Sequence, residues 1–142
     1  MFKATREIYE MLQQEEELRV FAEDHEETSE VWMQFSVKNG GKYCLRFISA
    51  DDDNDVMVGI FGLMRIAEEK MPAMLELINH LNSSYRFVKF DIDEDNDLNL
   101  TYDFPLDCIS PAACAKEMVI RFVQTLNEVY PQLMNTLWNG KN

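Results

Sequence analysis

The spacing of hydrophobic residues alternates along the chain between the repeat of a helix and the repeat of a strand. Ile8, Met11 and Leu12 recur at helical spacing near the start and predict a short first helix. A second helix is expected over residues 69–82, where apolar residues again return every three or four positions. Between and after these segments, apolar residues alternate with a period of two, which predicts strands.

The longest helical pattern follows Ser110, which precedes Pro111 and is predicted to cap the N-terminus of a third helix. Its apolar stripe comprises Ala115, Met118, Phe122, Leu126, Val129, Leu133 and Leu137. Pro131 lies inside the pattern and lacks the backbone N–H that a helix interior uses. The helix is therefore expected to be bent or interrupted there.

Strands are predicted in residues 18–23, 31–37, 43–48, the apolar part of 51–66, 85–92 and 98–104. The nearly continuous apolar run before residue 66 is typical of a strand buried on both faces or of one that leads into a helix. Asn39, Gly40 and Gly41 supply the positive φ angles of a hairpin turn between two of the strands. The predicted fold class is α+β, an antiparallel twisted sheet of about six strands with helices mainly on one face.

Two acidic segments have the same pattern, DDDNDVMV from Asp51 and DEDNDLNL from Asp93. This echo predicts that a hairpin followed by a helix occurs twice. The second segment has the acidic spacing of a calcium loop, but Asn96 and Tyr102 stand where such a loop needs glycine and a bidentate glutamate. We therefore interpret both segments as turns, and a metal sensor that uses them remains an alternative.

Period-two alternation predicts an unusual face of the sheet, opposite the helices. If Val31 and Phe47 point into the core, their neighbours in sequence point outward. The residues so placed collect large apolar side chains and several of the few cations on one surface. They form the predicted partner-binding site, which comprises Phe21, Trp32, Arg46, Ile48, Phe87 and Lys89.

Composition narrows the classes of function. The 142 residues fit one domain, 1–142, and the net charge of −13 argues against nucleic acid or an anionic membrane as a partner. The first residues have neither a long apolar run nor the pattern of a signal peptide. Cys44, Cys108 and Cys114 lack disulfide or zinc spacing and are expected to be reduced thiols in the cytoplasm. No metal and no cofactor is predicted.

Evidence for catalysis is weak in this sequence. Acidic residues are abundant, but most of the 26 must lie on the solvated surface. No nucleophile elbow, phosphate loop or dinucleotide motif is present. His80 could act as a general base on a helix face in a hydrolase-type enzyme, and this is the minor alternative. No catalytic residue is assigned.

The segments ELINHLNSSYRFVKFDIDEDNDLNLTYDFPLD and VYPQLMNTLW resemble the YbjN family of bacterial domains, which is grouped with the type III secretion chaperone fold. The resemblance includes Asn79 and Asn82 at a helix end, and Pro105 and Leu106 after a strand. It implies a small, acidic, cytosolic α+β protein that is often dimeric. It also implies a regulator or a chaperone-like binder of polypeptides, without a catalytic residue.

The expected function is a non-enzymatic protein-binding module that buries a polypeptide segment on the sheet face or along an edge strand. The acidic surface would steer basic segments, and Trp32 is expected to be the main anchor. A homodimer is a further possible partnership. The alternatives stay the metal or small-molecule sensor and the enzyme.

Overall fold

The computed structural model describes residues 1–38, 40–107 and 110–139. Its helices are α1 (Lys3–Gln13), α2 (Met71–Ser84) and α3 (Pro111–Asn139). Its strands are β1 (Val20–Asp24), β2 (Ser29–Ser36), β3 (Lys42–Ser49), β4 (Asp55–Arg65), β5 (Lys89–Ile92) and β6 (Asp97–Pro105). The helices and strands that the sequence pattern predicts are therefore all present, with shifts of a few residues at their ends.

The six strands form one sheet in the order β1-β2-β3-β4-β6-β5, and every neighbouring pair is antiparallel. Hairpins join most neighbours, and the chain crosses from β4 to β5 through α2. The predicted α+β class with an antiparallel sheet is confirmed. Its likeness to secretion chaperones stays a prediction.

The helices cover one face of the sheet and form the core with it. On that face Val31, Phe47 and Val58 are fully buried and lie opposite one another on adjacent strands. From the helix side, Ile8 of α1 and Phe122 of α3 are equally buried. The alternation of apolar residues on the strands therefore sets which face the helices cover.

The predicted repeat of hairpin and helix is confirmed. The β3-β4 hairpin precedes α2, and the β5-β6 hairpin precedes α3. β4 and β6 lie side by side at the centre, where Gly59 pairs with Thr101. When the alignment of the two acidic segments is extended by one residue, Gly59 corresponds to Thr101. A local two-fold axis that relates the two repeats therefore passes through this pair. The repeat thus places like segments on both sides of the centre of the sheet.

α3 begins as predicted, since Ser110 Oγ accepts a hydrogen bond from the N–H of Ala113. The helix continues through Pro131, so the predicted interruption does not occur. The third helix buries Val129 and Leu133 on either side of the proline. This packing against the core offsets the hydrogen bond that proline cannot make.

Cys44 and Cys114 are free thiols, as predicted, and Cys108 lies outside the described residues. Among the helices of the described residues, none has the length and apolar character needed to cross a bilayer.

Candidate functional site

A single row of residues crosses the sheet on the side away from the helices. Strand register places Phe21 opposite Trp32, Trp32 opposite Arg46, Arg46 opposite Gly59, Gly59 opposite Thr101, and Thr101 opposite Lys89. Because directly paired residues share a face, all six positions lie on one side of the sheet. We call this side the outer face. The predicted shared face of Phe21, Trp32, Arg46 and Lys89 is confirmed at the level of strand register.

A stack of three side chains occupies the β1 to β3 end of the outer face. The rings of Phe21 and Trp32 are nearly parallel, with centroids 5.6 Å apart, and the guanidinium carbon of Arg46 lies 5.1 Å from the Trp32 centroid. Arg46 Nη1 also donates to Glu30 Oε1 at 2.6 Å. The cation is therefore held over the indole by an ion pair, which fixes the orientation of the aromatic surface.

The apolar surface continues towards the centre of the sheet. Ile48 lies opposite Met57, and both lie on the outer face beside the row. Phe61 extends along β4, with its ring over Gly59. Met57 and Phe61 were missed by the sequence analysis, because the continuous apolar run of β4 gives no sign of which residues face outward. Both side chains are exposed, so β4 is not buried on both faces. This favours the other prediction made for the run, a strand that leads into a helix.

A buried amide fixes the irregular part of β4. The register with β6 shifts between Ile60 and Met64, which marks a bulge. Asn99 is only 7% exposed, and its Oδ1 accepts a hydrogen bond from the N–H of Gly62 inside the bulge. Its Nδ2 donates to carboxylate oxygens of Asp91 and Asp93. The position of Phe61 on the outer face therefore depends on a bulge that Asn99 holds.

The predicted place of Phe87 on the outer face is wrong. Phe87 has a φ of 68°, so its backbone is left-handed and the period-two alternation stops there. Its ring contacts Tyr102, with centroids 5.6 Å apart, and Arg121 of α3 lies 4.6 Å from its centroid. Tyr102 pairs with the core residue Val58, so these contacts place Phe87 on the helix side of the sheet.

Lys89 occupies its predicted position in the row, but its charge is not presented on the outer face. Its Nζ donates to the backbone carbonyls of Asn82 and Tyr85, at 2.7 and 2.6 Å. These carbonyls belong to the C-terminal end of α2, where a cation is favourable. Since the charge of Arg46 is paired with Glu30, the outer face offers less positive charge than the sequence predicted.

Acidic side chains line the same face. Asp103 lies opposite Met57, and burial together with repulsion from Asp55 raises the pKa of the Asp103 carboxyl. A raised pKa means that the environment of Asp103 disfavours the ionised form of its carboxyl group. A cation brought next to Asp55 and Asp103 would relieve this repulsion.

The two acidic segments form turns, as predicted. Asp93 Oδ1 accepts from the N–H groups of Asp95 and Asp97, and Asp51 Oδ1 accepts from those of Asp53 and Asn54. The hydrogen bond from Asn99 and those from the turn lower the pKa of Asp93, and the hydrogen bonds from Asn54 and Asp53 lower that of Asp51. Each first carboxylate is therefore engaged by donors of its own hairpin.

Among the described residues, one group of three side chains has metal-ligating character, and it lies outside both turns. Ligand atoms of Glu23, His25 and Glu30 lie within 4.8 Å of one another at the β1-β2 hairpin. Glu30 is already paired with Arg46, and His25 Nε2 lies 3.9 Å from Glu30 Oε1. Glu30 therefore already has a positively charged partner within the protein, the guanidinium group of Arg46.

His80, the candidate base, is exposed on α2. Strand register and helix packing place it on the side of the sheet opposite the outer face, since α2 covers the core with Met74 and Ile78. It is therefore remote from the aromatic stack.

Comparison with models of known protein families gives a match over most of the chain. The sequence profile of the YbjN family, described as "Putative bacterial sensory transduction regulator", matches residues 7–134. The chain belongs to the YbjN family. The match covers nearly the whole chain and confirms the predicted resemblance, and the YbjN description is that of a regulator rather than of an enzyme. No curated protein and no solved structure gives a significant match.

Proposed function

We propose that this YbjN chain is a non-enzymatic regulatory module that binds a polypeptide segment on the outer face. The observation that carries the proposal is the apolar surface from Phe21 through Trp32 and Ile48 to Phe61, which no described helix covers. A sheet face open to water usually carries polar residues, and large exposed apolar surfaces mark interaction sites. The family's description as a regulator agrees with this proposal.

The charges on this face define the partner's chemistry. Arg46 is neutralised by Glu30, whereas Asp55 and Asp103 repel each other beside Met57. With a net charge of −13, the protein attracts basic segments at long range. The partner segment therefore combines aromatic or aliphatic side chains, for Trp32 and its neighbours, with lysine or arginine.

The proposal includes a cytoplasmic location and a chaperone-like or regulatory role. Free thiols at Cys44 and Cys114 suit a reducing compartment.

Photo-crosslinking can identify the segment and test its site. A photoreactive residue at Ile48 probes the outer face, and the same residue at Leu75, exposed on α2, is the control. The segment captured in living cells from position 48, and not from position 75, is then synthesised and titrated against the purified protein. Failure to capture any segment from position 48 would contradict the proposal.

Two tryptophans provide matched variants for the titration. Trp32→Ala removes the stacked indole, whereas Trp138→Ala removes an indole that is 72% exposed at the end of α3. We expect Trp32→Ala to raise the Kd of the peptide by about 30-fold, as the loss of a central aromatic anchor does. Trp138→Ala should leave the Kd unchanged, and equal effects of the two variants would refute the assignment of the outer face.

A further inference from the structure

A cavity of about 300 Å³ lies between α1 and α3, on the helix side of the sheet. Its apolar lining comprises Met11, Leu12, Leu18, Val119 and Ile120. Leu12 is buried and Ile120 is 45% exposed, so this lining runs from the core to the surface. Pockets for small molecules have volumes of roughly 300 to 1,000 Å³ and mostly apolar linings with a few polar groups. The cavity therefore has the size and lining to hold a ligand with a short apolar body.

The polar part of the lining is strongly negative. Glu15, Glu16 and Glu17 follow α1 in the chain, and all three line the cavity. Lys116 is the one cation among the described residues of the lining. Its Nζ lies 3.8 Å from Glu15 Oε1, and both side chains are largely exposed, so this ion pair is weak. None of the ion pairs among the described residues includes Glu16 or Glu17.

The end of α1 adds to this negative charge. The last carbonyl groups of a helix carry a partial negative charge, which a basic side chain in the last turn can offset. α1 ends at Gln13 and has no basic residue in its last turn. The helix end and the three carboxylates therefore lie together beside an apolar cavity. A positive charge carried by an apolar ligand would be stabilised by both.

We propose that this cavity binds a small organic cation, a primary amine on an aliphatic body. The aliphatic part packs against Met11, Val119 and Ile120, and the ammonium group lies at the glutamates beyond the end of α1. The flexible side chain of Met11 allows ligands of different shape to be accommodated. The cavity is on the side of the sheet opposite the outer face. The site therefore goes beyond the proposed binding of a polypeptide segment and does not depend on it.

Three probes with the same hexyl chain separate the effect of charge from that of apolar contact. Hexylammonium, hexanol and heptanoate are titrated into protein whose methionine methyl groups are labelled with ¹³C. The methyl signal of Met11 reports on the cavity, and that of Met57 reports on the outer face. We expect hexylammonium to shift the Met11 signal saturably, hexanol to bind more weakly and heptanoate not to bind. Shifts at Met57 instead of Met11, or equal affinities for hexylammonium and hexanol, would overturn the proposal.

Two pairs of adjacent glutamates provide matched charge variants. Glu16→Gln combined with Glu17→Gln removes two carboxylates from the cavity and should raise the Kd of hexylammonium by about tenfold. Glu26→Gln combined with Glu27→Gln makes the same change of net charge between β1 and β2, where both side chains are exposed. This control should leave the Kd nearly unchanged, and equal effects of the two pairs would contradict the assigned site.

Two further variants change the cation at the cavity and the cavity itself. Lys116→Gln should lower the Kd of hexylammonium, because the probe then no longer competes with Lys116 for Glu15. Val119→Trp fills the cavity and should abolish binding, with circular dichroism to show that the fold is kept. Weaker binding to the Lys116 variant, or unchanged binding to a folded Val119 variant, would count against the proposal.

The cavity could instead be a docking surface for a macromolecule, and crosslinking distinguishes this case. A photoreactive residue at Ile120 that captures a polypeptide or a second copy of this chain in living cells would overturn the proposal. Capture of neither agrees with a site for a small molecule. Because Trp32 and Ile48 are unchanged in every variant, failure here leaves the proposed binding function to its own test.

Discussion

The ring of Phe61 lies across the backbone of Gly59 on the outer face. A Cβ atom added at position 59 would stand 2.8 Å from Phe61 Cζ and 3.0 Å from Thr101 Cγ2. The missing side chain therefore leaves the space that the aromatic ring fills, at the centre of the sheet.

Gly59→Ala should displace the Phe61 ring or shift β4 against β6. We expect the free energy of unfolding to fall by about 1–3 kcal/mol, as in other overpacked sites, measured by urea denaturation. Gly41→Ala is the control, because the nearest atom to its added Cβ is the hydroxyl oxygen of Tyr43 at 4.0 Å. Equal stability of the two variants would show that the outer face adapts to the extra methyl group.

Trp32→Ala should affect folding less than a truncation in the core. Trp32 is partly exposed and stacked on Phe21, whereas Phe47 on the opposite face of the sheet is fully buried. Phe47→Ala should cost about 3–5 kcal/mol of unfolding free energy, and Trp32→Ala clearly less. Denaturant melts of both variants check the difference, and a similar cost for the two would place Trp32 in the core.

Two aspartates should change stability in opposite directions. The pKa of Asp93 is lowered, so its ionised form stabilises the fold at neutral pH, and this contribution is lost as pH falls through the folded-state pKa. The pKa of Asp103 is raised, so its ionised form destabilises the fold above that pKa, and the effect vanishes below the ordinary value of 3.8.

At pH 7, Asp93→Asn should therefore lower the melting temperature and Asp103→Asn should raise it. Both differences from the wild type should shrink as the pH is lowered past these pKa values. Thermal melts from pH 7 to acid measure them, and shifts of the same sign at pH 7 would contradict the assigned environments.

Cys114 should react slowly with alkylating reagents. Burial and the nearby carboxylate of Glu117 raise the pKa of its thiol, and the thiolate is the reactive form. Glu117→Gln should speed the alkylation of Cys114 by iodoacetamide at mildly alkaline pH, followed by mass spectrometry of the peptide. In denaturant the wild type and the variant should react at the same rate. Equal rates in the folded state would count against an electrostatic effect of Glu117.

The strand register of the outer face could be predicted from sequence because side chains on a strand alternate strictly. Val31 and Phe47 identify which alternate positions of their strands are buried, and the outward positions of Trp32, Arg46 and Ile48 follow from that. The prediction failed at Phe87, where a left-handed residue before β5 breaks the alternation. A single-sequence pattern gives no warning of such a residue, because phenylalanine rarely adopts that conformation.

The way in which the charged groups are used depended on contacts with other elements of the structure. Lys89 and Arg46 have the same period-two pattern, yet Lys89 caps α2 and Arg46 pairs with Glu30 on the neighbouring strand. These partners lie on other elements, so the alternation of side chains within one strand does not specify them.

The sequence by itself determined the α+β class, the repeated hairpin and helix, which alternate residues of the strands face the core, and the family. These properties follow from local periodicity and turn residues, which act over a few positions. The tertiary structure decided that Met57 and Phe61 of β4 lie on the outer face, that Asn99 holds the bulge in β4, and that Lys89 binds the end of α2. Those features depend on which strands become neighbours and which side chains reach across them, and only the assembled sheet brings these groups together.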